Sequence, residues 1–215
     1  MREKIILTPE ELYFMGALLQ AKYIDYAYVA AMGDIQQRRE IYESESKEGL
    51  AKKGILIEDF SGRLEADVES KKLLEPVFFG MLESSVDIFA PDMEARRALP
   101  GRRFHFYEGR ITTTAMGEEG ICIEAADAAW IQAWLKGLLP DGPAEDRGEI
   151  SAESMDRNKV DRIITVKSIL IGEKATIEIY VEAQGSIFCE KAGGQVRTLT
   201  REQFCLEAWR GIKGE

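Results

Sequence analysis

The stretch Phe104-His105-Phe106-Tyr107-Glu108-Gly109-Arg110-Ile111-Thr112-Thr113-Thr114 decides the fold class. Polar and apolar side chains alternate on both sides of Glu108-Gly109, as in two strands joined by a tight turn. Val86-Asp87-Ile88 before it and Gly120-Ile121-Cys122-Ile123 after it, past a turn at Gly117, extend the pair into a β-meander. A helix from Asp127 to Leu139, bearing Trp130 and Trp134, closes this part of the chain.

The same plan returns further on. Pro140-Asp141-Gly142-Pro143 opens an acidic stretch to about Arg157 with few large apolar residues, the composition of a solvated loop. Alternation then resumes over Arg162 to Ile171, Ala175 to Val181, Ser186 to Glu190 and Val196 to Leu199, with a hairpin turn at Gly193-Gly194 and a last helix from Thr200 to Gly211. The two helices even end alike, in Ala133-Trp134-Leu135-Lys136-Gly137 and Ala208-Trp209-Arg210-Gly211. The pattern predicts a single α+β domain over 1–215, with pseudo-two-fold, duplicated antiparallel meander-plus-helix halves. Its sub-regions are a helical part (1–84), a first meander and helix (85–140), the acidic loop (141–157) and a second meander and helix (158–215).

Helices dominate the N-terminal part. In Thr8-Pro9-Glu10-Glu11, Thr8 caps a helix, Pro9 suits its first position and Glu11 completes a capping box. Leu12, Met15 and Leu19 follow at helical spacing, which predicts a buried helix from Pro9 to about Ala21. A more polar helix from about Ile35 to Lys53 ends at Gly54, Ile55-Leu56-Ile57 starts a strand, and a third helix runs from about Ala66 to Met81. With the turn at Ser61-Gly62-Arg63, the passage from Leu50 to Ile57 looks like a winged-helix unit entering its wing. On its helix Arg38, Arg39, Lys47, Lys52 and Lys53 are balanced by Glu40, Glu43, Glu45 and Glu48, which favours protein packing over DNA reading.

Composition narrows the function classes. With 45% apolar and 31% charged residues the chain has the make-up of a globular protein, and the net charge of -10 repels nucleic acid and anionic membranes alike. Cys122, Cys189 and Cys205 lack any paired spacing and read as buried thiols in a reducing compartment. The only apolar run near the start, Ile5-Ile6-Leu7, is too short for a signal-peptide core, so the cytoplasm is the expected location.

Nothing in the sequence assembles a catalytic centre. The one histidine, His105, lies inside an aromatic strand, no GxSxG surrounds a serine, and no metal-ligand or phosphate-loop spacing occurs. The expectation is a chain that is not an enzyme and holds no cofactor or metal. Binding is the remaining class. Alternation in the strand at 175–181 sends Ile177, Ile179 and Val181 one way and Thr176, Glu178, Tyr180 and Glu182 the other, and the first meander offers His105, Tyr107, Thr112 and Thr114. Polar faces rich in tyrosine suit protein recognition.

The order of these features resembles the EspG family, chaperones of type VII (ESX) secretion systems. The residues that carry the resemblance are Leu7-Thr8-Pro9-Glu10-Glu11-Leu12, the Leu50 to Ile57 passage and the two successive meander-plus-helix halves. The resemblance implies a non-catalytic, client-specific chaperone or adaptor that binds a helical secreted protein in the cytoplasm before export, with contacts from the sheet, the C-terminal helical region and a mobile hairpin loop. Being rich in Lys, Ile and Glu, the chain looks like a relative outside the mycobacterial group, with a WXG, LXG or PPE-like client. Carried onto this sequence, the partner surface is His105, Tyr107, Thr112, Lys167, Glu178 and Tyr180 with the last helix, and no nucleic acid, membrane or small-molecule substrate is expected. A winged-helix transcriptional regulator and an immunity protein that binds a toxin fit the same pattern from different classes.

Overall fold

The computed structural model describes residues 3–21, 23–32, 39–90, 97–139, 149–151, 160–170, 172–183, 185–190 and 195–215. In chain order its elements are β1 (Lys4–Leu7), α1 (Pro9–Leu18), α2 (Tyr26–Ala30), α3 (Arg39–Lys52), β2 (Leu56–Glu58), β3 (Leu64–Ala66), α4 (Val68–Phe79), β4 (Leu82–Ala90), β5 (Arg97–Tyr107), β6 (Arg110–Gly117) and β7 (Gly120–Ala126). After them come α5 (Ala128–Gly137), β8 (Glu149–Ser151), β9 (Val160–Leu170), β10 (Thr176–Ala183), β11 (Ser186–Glu190), β12 (Gln195–Leu199) and α6 (Arg201–Lys213). The class is α+β. The chain forms two compact units, Met1–Met81 with His105–Ala125, and Leu82–Phe104 with Ala126–Glu215.

In the first unit α1 begins as its sequence dictates. Glu11 N–H donates to Thr8 Oγ1 at 3.2 Å and Thr8 N–H to Glu11 Oε2 at 2.8 Å, a reciprocal capping box. Lys53 Nζ adds a 2.5 Å ion pair to the same, buried carboxylate. The helix stops at Leu18, short of the expected Ala21, where Gln20 takes a φ of 58°. Leu12 and Met15 of α1 pack with Leu50, Leu74 and Phe78, and with Ile121 and Ile123 of β7. Strand order here is β1-β7-β6, with the end of β5 beside β6. Gly120 shows why this edge closes tightly, since a Cβ there would lie 2.5 Å from the Leu7 carbonyl oxygen, and its φ is +128°. Glu108 and Gly109 both have positive φ, 48° and 73°, as a two-residue hairpin turn requires.

The helix expected over 35–53 runs from Arg39 to Lys52, residues 35–38 lying outside the described ones, and Gly54 takes the left-handed conformation after it. The next helix starts at Val68 and not Ala66, because Ala66 ends β3 and Asp67 caps with a bond from Ser70 N–H at 3.0 Å. The short helix α2 carries no periodic signal long enough to mark it.

In the second unit the order is β4-β9-β10-β11-β12-β8, with the start of β5 beside β4. α6 lies on β9, β4 and β10 and packs against α5. Asp127 caps α5, accepting from Trp130 N–H at 2.7 Å, and Thr200 with Gln203 forms a second capping box on α6. The stretch expected as a loop contributes β8 through Glu149–Ser151, and its residues 141–148 and 152–157 lie outside the described ones, as do Ile171, Gly193 and Gly194.

Candidate protein-binding face

The six residues expected to meet a partner fall three in each unit, and half of them are buried. In the first unit His105 Nε2 shares a 3.0 Å hydrogen bond with Thr114 Oγ1, which also meets the Tyr28 hydroxyl, so His105 belongs to an internal polar chain. Thr112 is buried too, its hydroxyl donating to the Leu73 carbonyl of α4 at 3.0 Å. These two assignments to an exposed face are therefore corrected, because α4 and α2 cover this side of the meander. Tyr107 stays half-buried, its ring 6.0 Å from that of Phe79 and 5.6 Å from the Arg110 guanidinium, which is held by Glu75 at 2.8 Å.

In the second unit the strand phase of β10 is opposite to the expected one. Tyr180 is 1% exposed, and its ring meets Phe204 of α6 edge-on with centroids 5.0 Å apart. Glu178, half-buried on the same side, accepts the Tyr180 hydroxyl at 2.7 Å, and burial pushes that phenol far above its ordinary range. Glu182, also on this side, is buried with Oε2 3.6 Å from Arg162 Nε, and Arg162 donates to the Leu138 carbonyl. The reason for the phase lies in the helix. α6 presents Gly211 and Phe204 to the strand, and a Cβ on Gly211 would lie 2.5 Å from Glu178 Oε2. Gly211 leaves room for Glu178 and Phe204 meets Tyr180 edge-on, which turns the isoleucines outward.

The other face of the same strands is more open and mixes apolar with polar side chains. Antiparallel register aligns Phe89, Ile163 and Val181 in one row, Asp87, Thr165 and Ile179 in the next, and Ser85, Lys167 and Ile177 in a third. Ile177 is 59% exposed, Phe89 44% and Ile179 38%, whereas Ile164 and Val166 on the reverse face are 1% exposed. Lys167, of all the expected residues in this unit, is on the open face. Asp87 brings an exposed carboxylate, and Glu83, at the far end, is paired with Arg103 at 3.0 Å, with burial pushing its carboxyl up and Lys167 acting against that. The residues missed from the sequence are thus Phe89, Ile177 and Ile179. No signal within β10 could have found the latter two, since an Ile/Ile/Val series reads as a core series until the helix beneath is known.

Among the described residues no three His, Cys, Asp or Glu side chains gather as metal ligands would, and no helix is long and apolar enough to cross a membrane. Among the described basic residues in and just after α3, Lys47 lies over the Phe14 ring at 5.9 Å, Lys52 pairs with Glu48 at 2.6 Å and Lys53 with Glu11.

No protein-family model matches the chain, and no curated protein matches its sequence. The fold has a solved counterpart. The structure of the Mycobacterium tuberculosis type VII secretion system chaperone EspG5 in complex with the PE25-PPE41 dimer superposes with a TM-score of 0.63, at 10% identity, covering 98% of this chain and 94% of that one. The expectation of an EspG-like α+β fold is met by that likeness.

Proposed function

We propose that this chain is a non-catalytic cytoplasmic chaperone that holds a helical type VII secretion substrate through the open face of β4, β9 and β10. The observation that carries the reading is the exposure of Phe89 on β4 and of Ile177 and Ile179 on β10, the two strands that flank β9. Exposed apolar side chains bordered by Asp87 and Lys167 offer a helical partner both contact area and a charge register. Support comes from the fold it shares with EspG5, which was solved bound to the PE25-PPE41 dimer. The repeat of four strands and a helix, β4 to β7 with α5 and β9 to β12 with α6, supports a duplicated design with the β2–β3 hairpin as a wing-like appendage.

Magnitudes suit a reversible complex. Strands rising ~3.4 Å per residue and spaced ~4.8 Å apart give this face roughly 300 Å². That is less than the ~800 Å² per partner of a standard interface, so the client must add contacts beyond it. Completing the burial of each exposed isoleucine contributes about 1 kcal/mol. An apolar helical tip, PPE-like or of WXG or LXG type, fits such a face, with an acidic group for Lys167 and a basic one for Asp87.

Co-expression with a candidate helical substrate tests the reading. The wild-type chain should keep the substrate soluble and elute with it at fixed stoichiometry. A substrate equally soluble without the chain, or eluting apart from it, would remove the proposal.

A further inference from the structure

The second unit carries a groove that the chaperone reading does not use. Helices α5 and α6 pack side by side, and their outer faces leave an open space of about 430 Å³. Ala129 and Ala133, four residues apart on α5, form one wall, and Cys205 and Leu206 of α6 form the other. The alanines keep that wall low, and Leu206 stands 48% exposed. From Ala129 to Lys136 the helix rises about 10 Å at ~1.5 Å per residue, which sets the length of an extended guest.

Charge in this groove opposes that of the whole chain. Lys136 and Arg201 line it against the single carboxylate of Glu202, so its lining is net positive in a protein of net charge -10. Both cations lie close to the Cys205 thiol. Burial is the main influence raising that thiol, Glu202 adds to it, and Arg201 and Lys136 act the other way. Arg201 also faces the buried Glu182, whereas the Lys136 ammonium has no hydrogen bond or ion pair among the described residues. The α6 capping box engages the Thr200 and Gln203 N–H groups, and the charged donors that face the groove are the Lys136 and Arg201 side chains.

We propose that the groove between α5 and α6 binds a medium-chain amphipathic carboxylate, its acyl chain against Ala129, Ala133 and Leu206 and its carboxylate between Lys136 and Arg201. Apolar walls fix the chain, and the cations choose the sign of the head group. This goes beyond the sequence expectation that no small molecule binds.

Titration calorimetry of the full chain with octanoate tests it. Saturable one-to-one binding is expected, weakened about tenfold for hexanoate, since two methylenes at ~0.8 kcal/mol each are lost. Octyltrimethylammonium should not bind. Lys136→Glu, an exposed change, should weaken octanoate at least about tenfold by placing a second carboxylate in the groove. Octanoate should also slow alkylation of Cys205, located by peptide mass, with the same concentration dependence. No saturable binding, equal binding of the cationic amphiphile, or binding that leaves both Lys136→Glu affinity and Cys205 alkylation unchanged would overturn the assignment. If Ala133→Trp folds, it should abolish binding by filling the groove, and retained affinity in that variant would equally overturn it.

Discussion

Tyr180 and Glu178 sit on the same side of β10, and the phenol of the first donates to the carboxylate of the second at 2.7 Å beneath helix α6. This contact fixes which face of the sheet is left to solvent. Removing it should be felt as stability. Tyr180→Phe leaves the buried part of Glu178 without its donor and should cost ~1–2 kcal/mol, and Tyr180→Ala should cost ~3–5 kcal/mol through the cavity left against Phe204. Urea unfolding measures both.

The N-terminal capping box makes a graded prediction in the first unit. Thr8→Ala loses one cap bond and should cost ~1 kcal/mol. Glu11→Ala removes the carboxylate that Thr8 N–H and the part-exposed Lys53 share, and should cost ~2 kcal/mol. Denaturant midpoints of the two variants should fall in that order.

Glu182 gives a pH dependence with a definite sign. Burial is the main cause of its raised pKa; Arg162 and Arg201 act downward and Asp161 upward. A carboxyl whose folded pKa lies above its unfolded value of ~4.3 binds more protons folded than unfolded between those two values, so its contribution declines as pH rises through that window. Glu182→Gln should therefore flatten the loss of stability above about pH 4 and be the more stable form at neutral pH. Thermal melts across a pH series check this.

Gly120→Ala should destabilise by more than ~1 kcal/mol. Its φ of +128° disfavours a side chain, and its Cβ would press on the Leu7 backbone oxygen, which cannot yield without disturbing β1. Amide exchange in Lys4–Leu7 should accelerate in that variant.

Local chemistry was the most legible part of the sequence. Thr8, Asp127 and Thr200 cap the helices they were placed before or at, and Glu108-Gly109 makes its turn, because each signal is complete within a few residues. The binding face was not legible in the same way. Ile177 and Ile179 alternate with Glu178 and Tyr180, and either set fits a core; Gly211 and Phe204, some thirty residues later, decide between them by the room and the ring they offer. His105 and Thr112 were misplaced for a related reason. Their polarity suggested solvent, but partners on other elements, Tyr28 with Thr114 and the Leu73 carbonyl, satisfy them inside.

The most direct test is the affinity of a helical type VII substrate for the wild-type chain, the Ile177→Asp/Ile179→Asp variant and Tyr180→Phe, measured by calorimetry on folded proteins. The double variant should lose at least about thirtyfold, since ~2 kcal/mol of apolar contact is replaced by two carboxylates, while Tyr180→Phe stays within about threefold. Unchanged affinity in a folded Ile177→Asp/Ile179→Asp protein would contradict binding through the open face of β4, β9 and β10.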